Sequence, residues 1–227
     1  MPNAVMIFAA GFGTRMGALT QSCPKPLLQV GGQPLLHHAL GIADSAGIDR
    51  KVVNIHYLPD QVRTALKDRA DVAISDETSE ILDTGGGLKA ARPLLGEDAV
   101  FTLNSDAIWS DPQVLQPLAE AWDPDRMDAL LLTVPLARAK GRPAPGDFAL
   151  AADGQLERGG AYVYTGAQIL SLSTLETVTE RAFSLNRIWD GAARENRLFG
   201  LEYSGHWVDV GHPEGLVLAN KLWDQWF

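Results

Sequence analysis

The sequence predicts an α/β fold with a mixed, mostly parallel central sheet covered by helices on both faces. Three observations carry this expectation. An apolar run of strand length stops abruptly at a glycine-rich segment, strand and helix patterns alternate through the first half of the chain, and the composition is that of an ordinary globular core. Of 227 residues 46% are hydrophobic and 21% charged, with 22 Gly and 13 Pro spread along the chain and not massed in one tract. That length stays within the range of one α/β unit, so a single domain over 1–227 with one site is expected.

Residues 4–10 (AVMIFAA) read as a buried first strand feeding the glycine-rich stretch 11–17. From Pro34 to Ala46 the apolar residues Leu35, Leu36, Ala39, Leu40, Ala43 and Ala46 recur at helical spacing, and Gly47 sits where a helix would end. VVNI (52–55) is a second strand, 58–67 a helix, 72–75 a short strand, 88–95 a helix, and VFTLN (100–104) another buried strand. Segments 129–134, 147–151, 161–165 and 198–203 also read as strands, some of them antiparallel additions, with a helical stretch around 186–195. The chain closes on a helix from Pro213 to Phe227, with Pro213 suited to a first helical turn.

Charge and cysteine usage exclude several classes. A formal net charge of −9 without a Lys/Arg-rich run argues against binding nucleic acid. Cys23 is the only cysteine, so an intramolecular disulfide and a cysteine zinc cluster are both ruled out, which fits a reducing cytoplasm. Met1 to Ala10 lacks the basic start of a signal peptide, and no apolar stretch approaches the roughly 20 residues of a membrane span. The histidines His37, His38, His56, His206 and His212 show no metal-binding spacing and read as packing or surface residues. Trp122, Trp189, Trp223 and Trp226 read as core or interface residues, and the chain as a monomer or homodimer.

Five constellations could carry chemistry. In Ala9-Ala10-Gly11-Phe12-Gly13-Thr14-Arg15-Met16, directly after the first strand, glycines allow close backbone approach, N–H groups can face phosphate oxygens, and Arg15 adds a cationic fork. The plainer reading is a tight turn with an incidental arginine. Prolines on both sides of Lys25 fix one ammonium group, where the alternative is a solvated loop lysine. Asp83-Thr84-Gly85-Gly86-Gly87 puts three glycines before a helical segment, suited to lie beneath a flat base or to act as a hinge. Asn104-Ser105-Asp106 closes a buried strand at the end where α/β sheets bind ligands, so Asp106 could hold a hard cation or merely form a turn. Asp209, in a short β-like segment within Gly205-His206-Trp207-Val208-Asp209-Val210-Gly211, could supply a second carboxylate or cap the last helix.

In order and spacing from Val5 to Gly211, the set A-A-G-x-G-T-R-M, P-K-P-L, T-G-G-G, N-x-D and W-V-D-V-G resembles the sugar-1-phosphate nucleotidyltransferase family. Within it the chain looks most like the short N-acetylmuramate-1-phosphate uridylyltransferases of bacterial cell-wall recycling, through Leu82–Gly87, Gly146-Asp147-Phe148 and Gly205–Gly211. The resemblance implies a Rossmann-like three-layer α/β/α domain and Mg²⁺-dependent transfer of a nucleotidyl group, from UTP in the subfamily, to a sugar 1-phosphate with release of pyrophosphate. By the same similarity Ala10, Gly11, Gly13 and Thr14 wrap the triphosphate, Arg15 meets the β and γ phosphates, and Lys25 lies near the α-phosphate. Asp106 and Asp209 hold Mg²⁺, Gly85 lies against the base, and Asn104 and Asp147 face the sugar. One departure is Ser105, where glycine is usual. No hexapeptide repeat of a C-terminal left-handed β-helix is present.

Guanylyltransferases for mannose or heptose 1-phosphate and cytidylyltransferases for phosphocholine would use the same phosphate machinery. A nucleotide-sugar sensor would not need both metal carboxylates. An NAD-binding oxidoreductase is disfavoured because Met16 replaces the third glycine of its loop and no acidic residue lies near the end of the second strand.

Overall fold

A computed structural model describes residues 1–226; Phe227 lies outside the described residues. In chain order the strands are β1 (Ala4–Phe8), β2 (Gln29–Val30), β3 (Gln33–Pro34), β4 (Arg50–Ile55), β5 (Val72–Asp76), β6 (Ala99–Asn104) and β7 (Ala107–Trp109). They continue as β8 (Ala129–Pro135), β9 (Ala139–Lys140), β10 (Phe148–Leu150), β11 (Leu156–Arg158), β12 (Tyr162–Ser171), β13 (Leu198–Glu202) and β14 (Trp207–Asp209). The helices are α1 (Leu35–Ser45), α2 (Pro59–Ala65), α3 (Asp83–Leu95), α4 (Gln116–Ala121), α5 (Asn186–Arg194) and α6 (Pro213–Trp226).

The central sheet runs β5-β4-β1-β6-β12-β8-β13, with the β10–β11 hairpin joined to the start of β12. Pairs β4/β5, β1/β4, β1/β6 and β8/β13 are parallel, while β12 is antiparallel to both β6 and β8. The expected antiparallel addition is therefore β12, inserted between two parallel blocks. Strand alternation divides the core. Val5, Ile7, Phe101 and Leu103 pack with Leu36, Leu40, Val62 and Leu118 of α1, α2 and α4 on one face. Ala4, Met6 and Val100 pack with Leu88, Leu95, Ile188 and Trp189 of α3 and α5 on the other. The result is the expected three-layer α/β/α arrangement. Among the described residues no helix is long and apolar enough to cross a membrane.

Three expectations need correction. β12 extends well past residue 165, because a register break between Tyr164 and Gln168 interrupts the alternation that a sequence pattern follows. The segment after β1 does not stay a loop: Thr14–Thr20 forms 3₁₀ turns kinked at Gly17. The glycine triplet does not precede a helix but forms the first turns of α3. The Gly85 and Gly86 N–H groups donate to Phe183 O at 2.9 and 3.0 Å, and Phe183 N–H donates to Leu82 O at 3.1 Å. A Cβ on Gly85 would collide with the Phe183 ring, and one on Gly86 with Arg181 O. Close approach of the 181–183 segment outweighs the roughly 1 kcal/mol that each helical glycine costs.

At the C-terminus, α6 packs on the body of the protein. Trp223 lies 4.7 Å from the His38 ring, and Trp226 stacks on His206 at 5.5 Å between ring centres.

Gly86→Ala is expected to lower stability by about 1–3 kcal/mol through this collision. Thermal denaturation checks it: a midpoint equal to wild type would show that the α3 contact with 181–183 is not tight.

Candidate active site

The carboxyl ends of the parallel strands β1, β4 and β6 converge, and the residues that follow them line a cavity of about 630 Å³. Its floor is tied together by a polar bridge. Ala9 N–H donates to Asn54 Oδ1 at 2.7 Å, and Asn54 Nδ2 donates to Glu77 Oε1 at 2.8 Å, so the segment entering the glycine loop is fastened across β4 to the end of β5. Glu77 is only 2% exposed, and burial raises its carboxyl pKa, with Asn54, the Leu82 amide and His56 pulling the other way.

Above this floor the loop folds back on itself. Gly13 adopts φ 64°, and a Cβ there would lie 2.9 Å from Lys25 Cβ, so the loop passes directly over the lysine stem. Thr20 Oγ1 donates to Gly13 O at 3.0 Å, closing the turn. Lys25 begins a short 3₁₀ turn, Lys25–Leu27, between Pro24 and Pro26, and its Nζ pairs with Asp106 Oδ2 at 2.6 Å. The proline-bracketed lysine is thus 9% exposed and aimed, not a solvated loop residue.

Asp106 and Asp209 arrive by a second ladder. Trp207–Asp209 pairs antiparallel with Ala107–Trp109, Asp209 opposite Ala107, and Val210 N–H donates to Asp106 O at 2.8 Å. The two carboxylates therefore stand within each other's field. Burial first, then the Asp106 charge, raises the Asp209 pKa, while Lys25, Arg15 and Arg142 pull it down. Ser105, where glycine was the expected residue, donates Oγ to Phe8 O at 2.7 Å and ties the turn that carries Asp106 back to β1.

A second cavity of about 220 Å³ adjoins the first, lined by Arg142, Asp147, Arg158, Tyr164, Trp189 and Asp209 among others. Arg15, Asn104 and Asp106 line both. Asp147 Oδ1 accepts from Arg142 Nη2 at 2.6 Å and Oδ2 from Tyr164 N–H at 3.0 Å, so its carboxylate is fixed rather than free. The Arg158 guanidinium lies over Phe148 and Trp189 at 4.9 and 5.5 Å, forming an aromatic-backed cationic wall.

Of the residues singled out in the sequence, Ala10, Gly11, Gly13, Thr14, Arg15, Lys25, Asn104 and Asp106 line the larger cavity, and Asp147 and Asp209 the smaller. Gly85 lines neither: it is buried against Phe183, and Asp83 and Thr84 stand at the cavity wall in its place. Sequence reasoning passed over Asn54, Glu77, Arg142 and Arg158. Asn54 had a signal, a lone amide inside the apolar run VVNI, and Arg142 another, since Pro143 and Pro145 follow it as prolines flank Lys25.

With this geometry in view, a match to the family described as MobA-like NTP transferase domain spans residues 5–196. The chain belongs to that family. This NTP transferase is 36% identical to an N-acetylmuramate alpha-1-phosphate uridylyltransferase of Caulobacter vibrioides, over 96% of each chain. It is 29% identical to a mannose-1-phosphate guanyltransferase of Emericella nidulans, over 96% of this chain and 63% of that protein. In fold it is similar to HddC from Yersinia pseudotuberculosis complexed with GMP-PN, with a TM-score of 0.78, 20% identity and coverage of 97% and 99%. The enzyme is a nucleotidyltransferase.

Asn54→Ala would leave both the Ala9 N–H and the Glu77 carboxylate without their partner, a loss of about 2–4 kcal/mol at ordinary penalties per buried group. Asn54→Asp keeps the acceptor for Ala9 but sets a second carboxylate against Glu77. Both carboxyl pKa values then rise further, so the penalty is full at pH 7 and shrinks as pH falls toward 5. Denaturant unfolding at the two pH values checks this; equal loss at both would refute the Asn54–Glu77 contact.

Proposed function

We propose that the enzyme transfers the uridylyl group of UTP to N-acetylmuramate 1-phosphate with release of pyrophosphate, using Mg²⁺. The observation that carries this reading is the meeting of two cavities at Arg15, Asn104 and Asp106. A nucleoside triphosphate and a sugar phosphate seated in them would touch at their phosphates. The relative from Caulobacter vibrioides, similar over nearly the whole chain, bears this activity in its name.

In this reading the larger cavity takes the triphosphate along Ala10–Thr14, with the base toward Asp83 and Thr84. The smaller takes the sugar beside Asn104 and Asp147. Asp106 and Asp209 fit Mg²⁺, which favours one or two carboxylates and completes its shell with phosphate oxygens and water. Bound there, the ion would neutralise charge building on the α-phosphate and the departing pyrophosphate. Lys25, already against Asp106 at 2.6 Å, orients that carboxylate and stands beside the reacting phosphate. Arg15 faces the leaving phosphates.

A sugar-phosphate oxygen attacks the α-phosphorus in line. The new P–O bond forms as the α–β bridge breaks, and pyrophosphate leaves with the bonding pair. The nucleophile is already an anion, so no general base is needed; holding repelling anions together is the main task. A second reading, guanylyl transfer to mannose 1-phosphate, keeps every one of these roles and is supported by the Emericella nidulans relative.

Pyrophosphate release across UTP, GTP, CTP, ATP and dTTP against N-acetylmuramate, N-acetylglucosamine, glucose and mannose 1-phosphates separates the two. Turnover is expected with UTP and N-acetylmuramate 1-phosphate; turnover confined to GTP and mannose 1-phosphate would replace that pair. Asp106→Ala is expected to abolish release while leaving the fold intact by circular dichroism. Near-normal Mg²⁺-dependent activity in that variant would overturn the metal assignment.

A further inference from the structure

The spacing of the five histidines marks none as a ligand, yet the fold carries His212 to the edge of the site. Its Nε2 lies 3.4 Å from Arg15 Nη1. An arginine side chain has donors only, so the imidazole nitrogen must be the acceptor and the ring proton sits on Nδ1. Arg15 itself is exposed, on a 3₁₀ segment kinked at Gly17, and a long guanidinium there would sample many rotamers.

The two partners differ in rigidity. His212 directly precedes α6, and Leu216 N–H donates to its carbonyl at 3.1 Å. Just upstream, Val210 N–H is bonded to Asp106 O, so the residues between β14 and α6 are anchored at both ends. Gly211 leaves the space that the guanidinium needs: a Cβ there would lie 2.9 and 3.0 Å from the Asp209 carboxylate oxygens and 3.2 Å from Arg15 Nη1. Arg15 is thus flanked by the Asp209 carboxylate and the His212 ring.

We infer that His212 is a positioning residue for the nucleoside triphosphate: by accepting from Nη1 it holds the Arg15 guanidinium over the larger cavity, presented to the leaving phosphates. This rests on the nucleotidyl-transfer reading. Fixing one rotamer-rich side chain before binding lowers the ordering cost of the bound state. The effect falls chiefly on triphosphate affinity: Arg15 lines both cavities, but the smaller one also has Arg142 and Arg158 as cations for the sugar phosphate.

The test compares His212→Ala and His212→Gln by calorimetric titration with UTP and Mg²⁺, alongside KM for each substrate and kcat. His212→Ala is expected to weaken UTP binding about three- to tenfold, the worth of one hydrogen bond, with a smaller change in KM for the sugar phosphate. His212→Gln, whose amide oxygen can accept, is expected to restore most of it. In an Arg15→Ala background His212→Ala should cost nothing further. Wild-type affinity in His212→Ala, or an equal loss in the Arg15→Ala background, would overturn the inference. UTP binding without turnover in the wild type would fail the transfer reading alone, and the titration would still decide His212.

Discussion

Two carboxylates placed in one another's field, in a largely buried setting, set the terms for everything around them. Asp209 is 8% exposed and its charge is opposed by burial and by Asp106. Charges so placed persist only where cations and hydrogen bonds meet them. Lys25 supplies the nearest cation, and it can do so because prolines fix its backbone and because Gly13 lets the loop run over its stem. Arg15 and Arg142 approach from either side, one from the glycine loop and one from the segment before β10. The thin loop, the stiff lysine turn and the short β7–β14 ladder are therefore parts of one electrostatic arrangement.

The same constraint accounts for the division of space. The cationic groups that balance Asp106 and Asp209 stand at the junction of the cavities, while the outer ends differ in character. The larger ends against α3 and the Asn54–Glu77 bridge, the smaller against Arg158 stacked on Phe148 and Trp189. In the proposed reading, substrate choice can vary at either outer end without disturbing the shared centre.

Much of the fold was legible because its parallel strands are buried on both faces and read as continuous apolar runs, as in AVMIF and VFTLN. The three-residue strands β7 and β14 were not legible, since a pattern that short carries no period, although Asp209 was placed on a β-like segment. The start of α3 was missed because glycine opposes helix on intrinsic grounds, and only the 181–183 segment, about a hundred residues on, reverses the balance. In the site, Arg15, Lys25 and Asp209 stood out through their proline and glycine surroundings, and Asp106 through its place at the end of a buried strand. Arg158 and His212 also have glycine or proline neighbours, and Asn54 is a lone amide in an apolar run, but the role of each comes from a partner elsewhere in the chain, Asp190, Arg15, and Ala9 with Glu77 respectively, which no local pattern announces.

The β7–β14 ladder also has a bearing on how the protein is made. It joins residues from opposite halves of the chain, so the parallel strands β1, β4 and β6 can assemble during synthesis while Asp106 still lacks its companion. Loop closure over such a separation is slow and comes late in folding. The pairing of Asp106 with Asp209 therefore belongs to the completed fold and to neither half of the chain alone: it exists only once β14 has docked on β7, about a hundred residues away in sequence.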